Sequence, residues 1–368
     1  MKNNKSSLGG TKVCAISPFV FSTPSISEIS LRMLCLLSLQ VIMLLVTKSY
    51  NSFIIVVSTF LGSLAAASVN YLISKEQPYN IISIVIQGII IGLLLPFGYP
   101  PVSAFFITFL TLLVARILIF KSINSWVNII SLALIIFWIV GMHYFPDFLV
   151  TKEVISLKNS SYYLFQSSVF PIYSFDSTIT SFLNNHLLSY LHVNLPEGYI
   201  SLLWDSGSLI PAFRFNLLTI LSSVILFADG AFSLVIPSVF LAIYALLVRL
   251  FSPILFGGLF NQGDVILALC TSGILFYCVF VIQWFGTVPQ TLMGKIIMGL
   301  IEALTAFFII GSGTSSIGMA YTVLFGNVFG MLLSLVEEKI KITSFQKSIL
   351  QSNEVQSSEN FDSKRNKK

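Results

Sequence analysis

The chain has 368 residues, 55% of them hydrophobic and 10% charged, with a formal net charge of +5. Soluble domains carry about 25% charged residues and interrupt their apolar residues at helical or strand period, whereas here apolar residues run on for the length of a bilayer crossing. Composition therefore argues against a soluble fold and makes the lipid bilayer the solvent; no nucleic-acid partner is expected, and Cys14, Cys35, Cys270 and Cys278 lack the CxxC spacing of a zinc or iron–sulfur site.

In chain order, residues 1–30 read as a polar cytoplasmic tail carrying Lys2, Lys5 and Lys12. No small-residue cleavage site follows the first apolar stretch, which therefore reads as a retained helix. Apolar runs of about 17–25 residues predict spans over 31–47, 52–74, 80–96, 102–120 and 125–145, a first five-helix block occupying 31–145. Lys75-Glu76-Gln77-Pro78 and Pro96-Phe97-Gly98-Tyr99-Pro100-Pro101 mark turns inside it. Residues 146–212, with Tyr, Asn and Ser, form one external segment. A second block over 213–338 contains spans at 213–228, 232–251, 264–283, 293–311 and 317–336, and 339–368 is a cytoplasmic polar tail that reads as disordered from Gln351 onward.

Sidedness follows from the basic residues. With a cytoplasmic N-terminus, ten crossings put 15 of the 20 Lys and Arg inside and leave Lys48, Lys152, Lys158, Arg214 and Arg249 outside. The reading is an all-α, multi-pass membrane protein of about ten helices in two five-helix blocks, with both termini cytoplasmic. Five helices per block make any internal repeat inverted, an arrangement that in transporters places a path at the block interface. Internal similarity is limited to Asn128 and Asn327, one in the last helix of each block. Cys270 and Cys278 fit roughly one face of the eighth helix and read as apolar filler.

Ionisable residues within apolar spans are costly and hence functional candidates. Glu302, about halfway along the ninth span, is a candidate cation relay, or else pairs with Lys295 seven residues earlier. Asp264 is a helix-terminal dipole partner or an ion ligand. Arg116, Lys121 and Arg249 read as snorkelling cations. His143, His186 and His192 show no metal-ligand spacing.

The last third carries a resemblance. Gly263-Asp264, Ser272-Gly273-Ile274-Leu275-Phe276, Gly294-Lys295 with Gly299, and Gly318-Met319-Ala320-Tyr321-Thr322-Val323-Leu324-Phe325-Gly326-Asn327 follow in order. They are similar to the C-terminal helices of the RnfD/NqrB family, the membrane flavin subunits of Rnf-type complexes and of the sodium-pumping NADH:quinone reductase. Ser17-Pro18-Phe19, the run Gly88 to Pro96, and Asn124 to Leu134 resemble that family's earlier helices more loosely, with Phe19 where the family has histidine.

The resemblance implies a subunit of a complex that couples electron transfer to Na+ or H+ movement, with other membrane and peripheral subunits as partners. It also implies a flavin mononucleotide (FMN) esterified to a threonine in a D-G-x-S-G-A-T motif on the external side. The matching stretch here is Trp204-Asp205-Ser206-Gly207-Ser208-Leu209-Ile210-Pro211, in which Ile210 takes the threonine's place. Asp205, Ser206, Gly207, Ser208 and Arg214 are the candidate flavin-binding residues, with Arg214 facing a phosphate and Trp204 stacking the ring. The alternatives are that Asp205 and Ser208 cap the sixth helix and that Trp204 and Arg214 anchor the interface. A small-solute channel or secondary transporter without redox role is the second function kept open. Small residues such as Gly294, Gly299, Gly318 and Gly326 are expected to line the contact with partner subunits.

Overall fold

A computed structural model describes residues 25–74, 81–119, 126–146, 160–192, 194–228, 230, 232–255, 260–311 and 315–365. Ser17-Pro18-Phe19, Cys14, Lys121, Asn124, and the turns around Lys75 and Gly257 lie outside them. Among the described residues there are fourteen α-helices and no strand.

The first block comprises α1 (Ile26–Val46), α2 (Tyr50–Ser74), α3 (Ile81–Leu94), α4 (Pro101–Val114) and α5 (Ile129–Gly141). The segment after it contributes α6 (Ser160–Gln166), α7 (Asp176–His186) and α8 (Tyr199–Trp204). The second block comprises α9 (Asn216–Ala228), α10 (Val235–Leu255), α11 (Val265–Thr271), α12 (Ile274–Phe280), α13 (Leu292–Ile310) and α14 (Gly318–Arg365). Five helices, α1, α2, α10, α13 and α14, are long and apolar enough to cross a membrane, and α3, α4, α5 and α9 are shorter apolar helices. With the α11–α12 pair in eighth place, the ten expected apolar segments all appear as helices.

Helix boundaries follow local chemistry. The α1 helix starts five residues earlier than its apolar run because Ser25 accepts the Glu28 amide at 3.2 Å, a cap that the run alone does not reveal. In the first block the Gly88-x-x-x-Gly92 pair lets α3 lie directly on α2: a methyl group at Gly88 would meet Ser63 Oγ, and one at Gly92 would meet Thr59 Oγ1. Small residues at such a crossing supply the close packing that apolar side chains cannot provide in lipid.

Three expectations are corrected. The eighth span is not one helix. It breaks at Ser272-Gly273, where Gly273 takes φ +69°, a conformation that glycine adopts at little cost. The break also removes the common face proposed for Cys270 and Cys278, both of which are buried free thiols. The polar tail is helical rather than disordered, as α14 continues to Arg365; from Met331 onward the sequence contains neither Gly nor Pro to stop it. The glycines offered for partner contact face this chain's own helices: Gly299 meets Ile236 and Val239 of α10, Gly326 meets Glu302 of α13, Gly318 meets Ile310, and Gly294 meets Glu337 of α14.

The two blocks share one apolar core, and a few buried polar bonds fix their register. Gln40 Nε2 of α1 donates to Thr219 Oγ1 of α9 at 3.0 Å. Asn128 caps α5 through its Oδ1 and donates its Nδ2 to Val281 O at 2.7 Å. With the side-chain amide of Asn327 oriented to satisfy both its bonds, its oxygen accepts the Asn128 backbone N–H at 2.8 Å. The only two residues that hinted at internal similarity therefore meet at the block interface.

Candidate functional site

The segment after the first block is organised around a buried carboxylate. Asp176, at the start of α7, is 0% exposed. Its Oδ1 accepts the Gly198 amide at 2.8 Å and Thr180 Oγ1 at 3.0 Å; its Oδ2 accepts the Ser201 amide at 2.6 Å and Ser201 Oγ at 2.7 Å. Burial works against its ionisation, but these donors outweigh it and hold the carboxyl below the usual carboxylate range. The α7 and α8 helices are thereby tied into one unit, and Ser201 Oγ also accepts the Tyr173 amide at 3.0 Å.

Immediately after α8 lies the motif-aligned stretch. Asp205, 2% exposed, receives a two-pronged ion pair from Arg214, with Nε to Oδ1 at 2.9 Å and Nη2 to Oδ2 at 2.6 Å. Tyr173 Oη donates to Oδ2 at 3.2 Å and the Gly207 amide to Oδ1 at 2.9 Å. Burial again opposes ionisation, and Arg214, Gly207 and Tyr173 together carry the net effect downward, holding Asp205 below the ordinary range. Arg214 reaches further, giving Nη1 to Ser49 Oγ at 2.6 Å and so joining this stretch to the turn between α1 and α2.

The five candidate flavin-binding residues are thus brought together in one stretch, with their polar groups bonded to one another or to the local backbone. Ser206 Oγ donates to Phe213 O at 2.8 Å, and Ser208 Oγ accepts the Ile210 amide at 3.2 Å. Asp205 and Ser208 do not cap the sixth membrane helix, because Pro211 opens a 3-10 turn over Pro211–Phe213 and α9 begins only at Asn216. Their side chains close local turns instead. Ile210 is 0% exposed within the core shared by both blocks, and the neighbouring Leu209 accepts the Phe97 amide at 2.9 Å. A position with neither hydroxyl nor solvent access does not fit a phosphoester-linked FMN. Trp204 is 44% exposed and meets Phe175 edge-on at 6.2 Å; Phe175 in turn stacks on Tyr173 at 5.6 Å.

The two acidic ion candidates lie apart. Asp264 is the cap of α11, its Oδ1 accepting the Leu267 amide at 3.0 Å, and its Oδ2 accepts Tyr199 Oη of α8 at 2.7 Å. Arg249 is held beside it by Asn261 Oδ1 at 3.0 Å and Gly263 O at 3.2 Å. Glu302 lies midway along α13, 0% exposed, with both carboxyl oxygens unpartnered. The expected pairing with Lys295 is not formed. Seven residues of helix separate the two by about 10 Å, and the Glu302 carboxyl turns toward Gly326 of α14.

Tyr173, Ser49, Tyr199 and Asp176 were missed by reasoning from sequence. Each acts through a partner between 25 and 165 residues away, and nothing local distinguishes a bonded tyrosine or serine from a solvated one. Among the described residues no group of three or more His, Cys, Asp or Glu could hold a metal ion.

No curated protein matches the chain. The model of the NQR2, RnfD, RnfE family matches residues 13–342, nearly the whole bundle together with the segment that contains Asp205 and Arg214, and the chain belongs to this family of membrane subunits of Rnf- and Nqr-type complexes.

Proposed function

We propose that the chain is the helical scaffold of a redox-driven Na+- or H+-translocating complex in the bacterial cytoplasmic membrane, and that it does so without a flavin esterified to its own external turn. The observation that carries this reading is the family match along the bundle combined with a buried isoleucine at the acceptor position. The chain has no cysteine cluster and no nucleotide-binding fingerprint, so electrons must be delivered by partner subunits. Any flavin that works beside the Asp205 turn is then carried by a partner, with the Tyr173-Phe175-Trp204 row as its neighbouring aromatic surface. Glu302 and Asp264 are the acids available to an ion path.

Purification in mild detergent with mass spectrometry of co-eluting proteins tests the reading. Further membrane and peripheral redox subunits are expected to co-elute. The band of this chain on a denaturing gel should not fluoresce under ultraviolet light; a fluorescent band lost in Ser208→Ala would make the serine an acceptor and overturn the non-covalent reading.

One observation favours transport without redox. The third span of the second block is split into α11 and α12, of seven residues each. Interrupted membrane helices form the substrate sites of secondary transporters. A chain that elutes alone and conducts a solute in liposomes would promote this second reading over the first.

A further inference from the structure

Glu302 is the one buried carboxylate among the described residues whose surroundings supply neither a donor nor a counter-charge. Both its oxygens are buried and unpartnered, its side chain is wholly covered by protein rather than directed at lipid, and it packs on the Gly326 backbone, where a methyl group would meet Oε1. The thiol of Cys278, from α12, is an ionisable group within electrostatic range of it. The other titratable side chains on the elements packed against α13 are engaged elsewhere or sit at its ends. Tyr244 of α10 donates to Gly311 O at 2.6 Å, Arg249 of α10 serves Gly263 and Asn261, Tyr321 of α14 meets Trp138 edge-on, and Glu337 of α14 accepts the Thr291 amide, with Lys341 donating to Gln290 nearby. Glu338 and Lys339 are one and two residues beyond Glu337. Tyr277 of α12 is buried within the shared core.

An ionised carboxylate cannot persist in such a setting without a cation. Two cations are chemically open to a membrane ion pump, and the geometry discriminates between them. Na+ sites in membrane proteins draw on several oxygens, typically carbonyls released where a helix unwinds. At Glu302, α13 and α14 are both continuous, so their carbonyls are spent on helical hydrogen bonds. The α12 helix ends at Phe280, two residues past Cys278, and there Tyr277 O accepts the Val281 and Ile282 amides while Val281 O accepts Asn128 Nδ2 and the Trp284 amide. A proton needs only one oxygen of the carboxyl itself.

We infer that Glu302 is a proton-binding site in the interior of the second block, held as a neutral carboxylic acid in the conformation described and selective for H+ over Na+. Its use in pumping rests on the ion-translocating reading above, but its occupancy by a proton does not. Gly326 is the feature that admits the side chain, because any larger residue would expel the carboxyl from the α13–α14 contact.

Infrared difference spectroscopy of the full chain against Glu302→Gln, in lipid nanodiscs at neutral pH and with K+ or Na+ as the sole alkali cation, tests this directly. The expected result is a protonated-carboxyl C=O band in the wild type, absent from Glu302→Gln and unchanged between K+ and Na+. Carboxylate bands alone, or conversion of the acid band to carboxylate on adding Na+, would overturn it. Should Glu302→Gln fail to fold, dicyclohexylcarbodiimide with peptide mass spectrometry reads the wild-type chain. A Glu302 adduct formed equally in K+ and Na+ supports the proton site, whereas protection by Na+ removes it. Neither readout requires partner subunits or electron flow, so loss of the redox-complex reading would leave the result intact, and the converse also holds.

Discussion

Asp205 and Arg214 illustrate how a buried charge dictates the behaviour of its neighbourhood. The carboxylate is 2% exposed, so its ionised form is tolerable only while Arg214, Tyr173 and the Gly207 amide surround it. Removing one partner of such a pair costs about 3–5 kcal/mol, while replacing both by neutral residues of similar volume is often nearly neutral. Arg214→Gln should therefore loosen the 160–214 segment, and Asp205→Asn with Arg214→Gln should recover most of the loss, as measured by hydrogen exchange of peptides from that segment. The pH dependence changes sign between the two. In the wild type the folded Asp205 titrates below its unfolded value, so its stabilisation is fully present above about pH 4 and is lost as the pH falls through the lower, folded value. Asp176 adds a contribution of the same sign. In Arg214→Gln burial is left to dominate, and acidification should then protect the Asp205 turn rather than open it; protection that falls with pH at that turn to the same extent in both proteins would refute the role given to Arg214.

Regularity decided which elements could be read from sequence. Ten apolar runs of bilayer length were legible because lipid leaves a helix as the only way to satisfy the backbone. The split of the eighth was not, because Ser272-Gly273 within an apolar run resembles an ordinary small-residue contact. What distinguishes it is a partner from another element: the Phe213 ring occupies the space where a Gly273 side chain would begin. The helical extension of α14 is illegible for the opposite reason: its polar composition is that of a disordered tail, and only the lack of any helix-breaking residue points to a helix. The Asp205 turn was located from its motif residues, but its bonds to Tyr173 and Ser49 depend on chain folding over 32 and 165 residues. For Gly273 the two penalties are separable. Gly273→Ala should cost about 1–2 kcal/mol for the left-handed backbone and about 1–3 kcal/mol for overpacking against Phe213. Thermal unfolding in detergent should show the larger combined loss for Gly273→Ala alone and a smaller one in the background of Phe213→Leu. A variant as stable as the wild type would mean that the α11–α12 break is not needed.

At the scale of the whole molecule, the contacts sort the turns into two ends. Ser49 with Arg214, Phe97 with Leu209, Pro146 with Ser316, and Tyr199 with Asp264 gather at one end, together with α6, α7 and α8. Gln283 with Ser233, and Thr291 with Glu337, gather at the other. Among the described residues the first end has Lys48, Arg214 and Arg249, of which Arg214 is consumed by Asp205 and Arg249 by Gly263 and Asn261. The second end has Arg32, Arg116, Lys295, Lys339 and Lys341, with Lys347, Lys364 and Arg365 along the α14 extension, and Arg32 pairs with Glu28 at the surface. Basic residues retained on the cytoplasmic side orient a membrane protein, and acidic residues contribute little to that bias. Most of the basic residues lie at the end of Glu337 and the α14 extension, so we expect that end to face the cytoplasm and the Asp176–Asp205 segment the outside. Reporter fusions after Thr180 and after Asn360 check the assignment, since a reporter active only outside should work at the first junction and one active only in the cytoplasm at the second. External signals at both junctions would require the bundle described above to lose or gain a span, whereas an external Asn360 with a cytoplasmic Thr180 would invert the whole bundle.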